Sequence, residues 1–376
     1  MKRVLIIGGY GHFGGYIAKE LAQEDNIQLI IAGRSDKRAQ EFCQQLNAVH
    51  PAEAYALDIQ ESLTEHLLAI KPFLVIHTSG PFQSQDYAVA KACIQYGCHY
   101  VDLADGRDFV NGIKQLHAKA QRAGVLVVSG ASSVPAFSAA IIDHYKPQFS
   151  ILKSMDYGIS TAQQSSPGLA TTQAILGYAG KPFETLKGGD KKIIYGWQGL
   201  TSRTYTGLGK RYLSYCDIPD LSLFVERYPK LESIEFRAGL ELGFVHITLW
   251  LLSFLVRIKL FKSLRPMAVT LLKISSWFNR FGSGDSAFHM LLAGEGVQGE
   301  DKKVHFELIA KDGHGAFIPC IPAILLAHEL LHPEQPLTGA FPCMGLITFD
   351  AYLERLKHLN IHWSCKAEEK QNAFSS

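Results

Sequence analysis

Charge of one sign is missing from the chain taken whole. Lys and Arg number 37 and Asp and Glu 35 over 376 residues, a net charge of +2. A protein that grips nucleic acid by its phosphates carries a strong basic excess, so a general nucleic-acid binder is excluded. Cysteine is scarce. The seven are odd in number and scattered at 43, 93, 98, 216, 320, 343 and 365, which fits free thiols in a reducing compartment and not a disulfide framework. Long apolar runs are lacking as well. None reaches the roughly 18 uninterrupted apolar residues of a membrane span, and the opening Met-Lys-Arg-Val-Leu-Ile-Ile-Gly-Gly is too short for a signal-peptide core. With 47 % apolar and 19 % charged residues, disorder is excluded too. The expectation is a cytoplasmic globular protein of two or three domains, at roughly 150 residues each.

What is present first is alternation. Short β-rich runs at Val4–Ile7, Ile27–Ala32, Ala54–Leu57, Phe73–His77, Tyr100–Leu103 and Val125–Val128 are bounded by Gly, Pro or polar residues. Between them lie stretches of helical periodicity, such as Leu63, Leu67, Leu68 and Ile70. Buried parallel strands joined by right-handed helical crossovers read this way, so the fold class is α/β with an N-terminal doubly wound parallel (Rossmann) sheet. After residue 129 the composition shifts toward Gly, Ser, Thr and Tyr. A second, α+β substrate and dimerisation domain is expected there, with strands near 152–160, 191–196 and 202–206 and a hairpin over 286–311. Helices are expected over 319–332 and 349–358, and a frayed polar tail over the last ten residues. The division is residues 1–135, 136–330, and a helical 331–376 that packs back on the body.

The first strand runs into Gly9-x-Gly11-x-x-Gly14, followed by the amphipathic positions Tyr16, Ile17 and Leu21. Strand, glycine turn and helix together are the context this short motif requires. Gly9 permits the turn, Gly11 lets backbone approach a pyrophosphate, and Gly14 lets the helix pack on the strand, with free N–H groups at the helix start for the anion. At the end of the second run, where an NAD site usually carries Asp or Glu, stand Arg34 and Ser35. A guanidinium suits a 2′-phosphate, so the expected cofactor is NADP(H); the alternative is a solvated Arg34 with Asp36 on the ribose. Gly80-Pro81 follows the fourth run, at the carboxyl edge where doubly wound sheets bind ligands.

Two other motifs carry less. Tyr87-x-x-x-Lys91 matches a dehydrogenase dyad, but chance supplies one such match in a chain of this composition, and it follows the fourth strand instead of the fifth. His328-Glu-Leu-Leu-His332 matches the zinc-protease helix motif, yet Pro333 follows at once and Glu354 is the sole nearby candidate for a third ligand. No metal is expected.

The N-terminal half resembles the saccharopine dehydrogenase-like family of NAD(P)-dependent oxidoreductases. The resemblance rests on the Gly9-Tyr-Gly-His-Phe-Gly14 turn, Ala32-Gly-Arg34, Asp58, Ser79-Gly80-Pro81-Phe82, Cys98-His-Tyr100-Val-Asp102 and Ser129-Gly-Ala-Ser132-Ser-Val-Pro135. Ile318–Ala323 and Gly339–Gly345 look like its bacterial members. It implies that Asp58 lies by the adenine edge and that Ser79, Gly80 and Pro81 lie near the nicotinamide ribose. Members of the family join amino acids to aldehydes reductively, act on other substrates, or reduce enoyl groups in long-chain lipid synthesis. Proton transfer is assigned to Tyr100, Asp102 and Ser132, at strand ends or in the loop facing the nicotinamide; the alternative is that Tyr100 packs and Asp102 caps a turn.

One absence is local. No acidic residue occurs from 242 to 284, whereas Arg257, Lys259, Lys262, Arg265, Lys273 and Arg280 do, behind the apolar run Leu242–Val256. Two readings stay open: helices buried in the second domain or a subunit interface, or a peripheral contact with a membrane or an acyl chain. The resulting expectation is an NADP(H)-dependent oxidoreductase, a homodimer, acting on a small-molecule or acyl carbonyl, imine or enoyl substrate. The alternative is a non-catalytic NADP-binding sensor or scaffold at a membrane surface.

Overall fold

A computed structural model describes residues 1–165, 168–332 and 337–370. The chain forms two compact units, Met1–Ala140 with Phe317–Tyr352, and Ile141–Ala316 with Leu353 onward. The cut therefore falls near the expected boundary at 135, but the chain returns to the first unit after residue 316 and leaves it again.

In the first unit, β1 (Lys2–Ile7), β2 (Ile27–Gly33), β3 (Glu53–Ala56), β4 (Leu74–His77), β5 (His99–Asp102) and β6 (Leu126–Ser129) form a sheet of spatial order 3-2-1-4-5-6. The strand Gly339–Pro342, not foreseen from sequence, adds beside β6, and every neighbouring pair runs parallel. Val4, Leu5, Ile6 and Ile7 are buried on both faces of the sheet, which is why β1 reads as a continuous apolar run. Strand order reverses where β1 lies between β2 and β4, so the connections leave β1 to opposite sides. Such a reversal opens a crevice at the carboxyl ends.

The second unit holds a seven-stranded sheet centred on β7 (Phe149–Thr161). On one side lie Ser233–Leu240, Gly209–Tyr215 and Thr201–Tyr205; on the other lie Ser286–Gly296, Asp301–Ala310 and Ile361–Lys370. Only Ser233–Leu240 pairs with β7 in parallel; the other neighbours are antiparallel. The expected hairpin is the pair Ser286–Gly296 and Asp301–Ala310. The segment 331–376 differs from its expected helical character. It contains the strands Gly339–Pro342 and Ile361–Lys370 besides the helix Phe349–Leu356, and of the expected frayed tail 367–370 is strand while 371–376 lies outside the described residues. Pro333 also lies outside them.

By length and apolarity alone, one helical stretch among the described residues, His314–Leu331, matches a membrane span. Its residues Ile321, Ala323, Ile324 and Ala327 are core residues.

Candidate dinucleotide site

The carboxyl ends of five parallel strands bring the expected site residues to one edge of the first unit. Register sets them side by side: Ile7 pairs with Ala32 and with His77, and His77 pairs with Asp102. Beyond these positions lie the glycine turn, Arg34–Ser35, Thr78–Pro81 and the loop Gly130–Pro135.

In the glycine turn the left-handed residue is Gly8, at φ +81°, and not Gly9, which was expected to make the turn. Gly9 is needed for another reason: a Cβ there would stand 2.9 Å from the Ile6 carbonyl oxygen and 3.1 Å from Ile31. Gly14 does what the motif requires. Its Cβ would fall 2.3 Å from the Gly8 oxygen and 2.8 Å from Thr78 Oγ1, so helix His12–Leu21 (α1) meets the strand ends without a side chain between them. Gly11 is the exposed N-cap of α1 and offers no side chain to the first-turn N–H groups, which therefore stay available to an anion. The turn is latched from both sides. Gly8 and Gly9 N–H donate to the Ala32 carbonyl at 2.8 and 3.2 Å, and Thr78 Oγ1 donates to the Ile7 carbonyl at 2.9 Å.

At the end of β2, Arg34 is exposed. Ser35 caps the helix Asp36–Gln45 (α2), its Oγ accepting from Arg38 N–H at 3.3 Å. Asp36, exposed on the first turn of α2, accepts from the Gln40 amide at 2.6 Å. Two residues missed in the sequence belong here. Tyr10 packs on Gly33, where a Cβ would meet its hydroxyl at 2.5 Å, and its hydroxyl accepts from Ser35 N–H at 3.0 Å. Arg38 sets its guanidinium 4.7 Å from the Tyr10 ring centre, a cation–π contact, and stands on the first turn of α2 beside Ser35. Arg38 was legible as the residue four positions after Arg34.

Asp58 is half-buried just past β3, its carboxylate accepting from Gln60 N–H at 3.1 Å in a local turn. Ser79, Gly80 and Pro81 are partly exposed at the end of β4, and the Gln85 amide donates to the Ser79 carbonyl at 2.7 Å. Ser132 is also partly exposed, its N–H donating to the Gly130 carbonyl at 2.7 Å.

Tyr100 and Asp102 are placed differently from expectation. They do not face an open edge; they are 1 % and 0 % exposed. The Tyr100 hydroxyl and His77 Nδ1 lie 3.1 Å apart. Asp102 Oδ1 accepts from Ser129 Oγ and from Gly130 and Ala104 N–H, each at 2.9 Å. Asp102 thus ties the ends of β5 and β6 and the loops that leave them. Burial raises its carboxyl to about 6 against the pull of these donors, and burial lowers His77 to about 4. A raised carboxyl costs the fold stability wherever it is ionised, at about 1.4 kcal/mol per unit. Asp102→Asn keeps the acceptor and removes the charge. Its melting temperature should exceed the parent's at pH 7 by the equivalent of up to about 3 kcal/mol, with the gap closing by pH 4. A lower melting temperature at pH 7 in calorimetry would show that the donors need the full charge.

The two weaker motifs have structural occupations. Tyr87 donates to the Phe109 carbonyl at 2.6 Å. His328 Nε2 stands 3.4 Å from Glu24, and His332 Nε2 lies 3.2 Å from the Asn26 amide. Among the described residues no group of three His, Cys, Asp or Glu is arranged to hold a metal ion.

Sheet order, glycine turn and the latched β1 and β4 ends define a Rossmann-type dinucleotide-binding domain. Residues 4–128 match the family model described as the saccharopine dehydrogenase NADP binding domain. The first unit is thus similar to that domain family over residues 4–128, and in this part the chain is saccharopine dehydrogenase-like. Among curated proteins, the "lipid droplet localized protein" of Caenorhabditis elegans is 28 % identical over 144 residues, 35 % of this chain and 34 % of that one. A "saccharopine dehydrogenase-like oxidoreductase" of Rattus norvegicus is 26 % identical over 151 residues, 36 % and 35 % of the two chains. The matched stretches thus span about a third of the length of these relatives. Among solved structures, apo saccharopine dehydrogenase (L-Glu forming) from Saccharomyces cerevisiae superposes with a TM-score of 0.67. It is 15 % identical, over 98 % of this chain and all of that one, and shares the fold.

Proposed function

We propose that this chain is an NADP(H)-dependent oxidoreductase. The observation that carries the reading is the arrangement at the end of β2. Arg34 stands exposed at the end of β2 next to Ser35, and Arg38 lies over the Tyr10 ring of the glycine turn, where a dinucleotide's adenosine ribose would lie once its pyrophosphate sat on the N-terminus of α1. Two guanidinium groups and a hydroxyl suit a 2′-phosphate better than a bare 2′-hydroxyl, because their bonds to the phosphate are charge-assisted. When bound, the nicotinamide supplies or accepts the hydride. Asp58 would border the adenine, and Ser79, Gly80 and Pro81 the nicotinamide ribose. Ser132, partly exposed at the end of β6, holds or relays a proton at the reacting group through its hydroxyl. Asp102 is a positioning residue that holds the Ser132 loop through Gly130.

A charge-assisted hydrogen bond contributes roughly 1.5–3 kcal/mol. Arg34→Ala should therefore weaken NADPH about ten- to a hundredfold and leave NADH unchanged, and Arg38→Ala should do the same. Calorimetric titration with both coenzymes checks this; equal loss for NADPH and NADH overturns the 2′-phosphate assignment.

For the substrate, we favour a carbonyl or enoyl compound over an amino acid with two free carboxylates. Of Arg203, Arg211, Arg227 and Arg237, which could have met such carboxylates, Arg203 lies over the Tyr205 ring at 5.9 Å and the other three face acidic side chains. Arg211 pairs with Glu241 at 3.2 Å, Arg227 with Asp143 at 2.8 Å, and Arg237 with Asp156 at 3.0 Å. The burial of Tyr100 and Asp102 favours one other reading, a non-catalytic NADP sensor; NADPH oxidation with a medium-chain enal or enoyl thioester separates the two, because a sensor binds coenzyme and turns over neither.

A further inference from the structure

The helix Gly243–Arg257 is turned inside out. A helix on a water-soluble surface buries its apolar stripe and exposes its polar one. This helix buries two polar residues, His246 and Ser253, with Val256 as its one buried apolar side chain, and exposes Thr248 among apolar neighbours. His246 Nε2 lies 2.9 Å from Ser214 Oγ, and its Nδ1 accepts from Leu240 N–H at 3.3 Å. Ser253 Oγ accepts from the Gln198 amide at 2.6 Å. The outward face is Phe244, Leu251, Phe254 and, just past the helix, Ile258, all exposed. Positions 244, 251 and 258 are seven apart and 254 is three beyond 251, so these side chains share one helical stripe.

The chain that follows anchors itself through the buried Leu264 and also turns apolar side chains outward. Leu260 is 66 % and Phe261 44 % exposed. In the helix Ala268–Ser276 only Ala268 is buried, while Val269, Ile274 and the following Trp277, at 64 %, point outward. The two helices form one surface, because the Phe244 ring meets Phe278 edge-on at 5.0 Å between centres. All six cations of the segment, Arg257, Lys259, Lys262, Arg265, Lys273 and Arg280, are exposed. An open depression of about 420 Å³, lined by Gln173, Ser263, Arg265, Pro266, Ala268 and Val269, lies in the same segment.

We propose that this face is a docking surface for an anionic lipid interface, with the aromatic and aliphatic side chains entering the acyl boundary and the cations meeting lipid phosphates. Three features select that occupant. Charge of a single sign rims an apolar patch, with no carboxylate between 242 and 284, which matches an interface that is oily within and negative at its surface. The long Lys and Arg side chains reach from such a patch to a headgroup layer, whereas the core of a protein–protein interface is depleted in lysine. The first helix, at 15 residues, is about 22 Å long against a hydrocarbon core of about 30 Å, so it lies along the interface and does not cross it. The surface is a property of the second unit and is independent of the coenzyme reading.

The test is co-sedimentation of the intact protein with vesicles of equal parts phosphatidylcholine and phosphatidylserine, and with phosphatidylcholine vesicles alone. Binding is expected to the anionic vesicles, to weaken with salt, and to shift tryptophan emission to the blue. The triple variant Leu251→Ser, Leu260→Ser, Trp277→Ser replaces exposed side chains and should fold as the parent does. It should bind at least tenfold more weakly, as should Lys259→Glu with Lys262→Glu. No binding of the parent to anionic vesicles overturns the proposal, as does a triple variant that binds as the parent does. So does a parent that is a dimer dissociated by the triple variant and binds no vesicle: the face would then be covered by a second copy.

Discussion

Gly14→Ala should cost the protein its coenzyme. The added Cβ would sit 2.3 Å from the Gly8 carbonyl oxygen and 2.8 Å from Thr78 Oγ1, and neither can yield freely. Gly8 is fixed at φ +81° with its N–H on the Ala32 carbonyl, and Thr78 is latched to Ile7. Relief therefore comes from moving α1 off the strand ends, and with it the first-turn N–H groups that would hold the pyrophosphate. Losing two charge-assisted hydrogen bonds corresponds to about 3–6 kcal/mol, a hundredfold weakening or more for NADPH and NADH alike. The overpacking should also lower the stability of the first unit by about 1–3 kcal/mol. Gly177→Ala is the contrasting substitution. It lies in the helix Gly168–Tyr178 with nothing within 4 Å of the new Cβ, and should raise stability by up to about 1 kcal/mol without touching coenzyme affinity. Titration and melting of both variants check the pair. A Gly14→Ala protein that melts lower but binds NADPH unchanged would remove the glycine turn from the site.

The sequence discloses those elements whose physics is local. A strand buried on both faces must be apolar throughout, so β1, β2, β4, β5 and β6 announce themselves, whereas β3, half-exposed at the sheet edge, shows only as a short run between polar residues. Gly339–Pro342 does not: it is four residues long, begins with Gly, ends with Pro and adds only at the edge beside β6, the one place where proline is tolerated in a sheet. The end of Ile361–Lys370, residues 367–370, reads as part of a polar tail, because an edge strand carries charge on its exposed side. What makes it a strand lies elsewhere in the chain, in the antiparallel register that sets Lys302 against Glu369. The glycine motif and Arg34 were legible for the same local reason, since spacing within one turn defines them. Tyr100 and Asp102 were not. Whether a polar residue ending an apolar run faces ligand or core depends on what folds over it. Here that is Ser129 and Gly130, a strand away.

Acid should unfold this protein well above the pH at which most carboxylates titrate. Burial lowers His77, His99 and His246 to about 4 and His289 to about 3. Geometry agrees for two of them. His99 Nδ1 accepts from Leu126 N–H at 3.0 Å and His246 Nδ1 from Leu240 N–H, so a proton on either ring nitrogen displaces a backbone bond. In the unfolded chain each takes up its proton near 6.5. The stability that neutral histidine contributes is therefore complete above pH 6.5 and is lost as pH falls from there toward 4, at about 1.4 kcal/mol per pH unit for each ring. Asp102 works the other way: protonated first in the fold, at about 6, it returns stability between pH 6 and its unfolded value. His77, His99 and Asp102 belong to the first unit and His246 and His289 to the second. The second unit thus loses about 2.7 kcal/mol per unit of pH near 5 from its two rings, and the first, with one ring offset, about half that. Calorimetric melts from pH 7 to 4.5 should resolve a second-unit transition that falls faster with acid. His246→Asn, which keeps an acceptor where Nδ1 stood, should halve that slope whatever it does to stability at pH 7; an unchanged slope would show that the ring is already protonated in the fold.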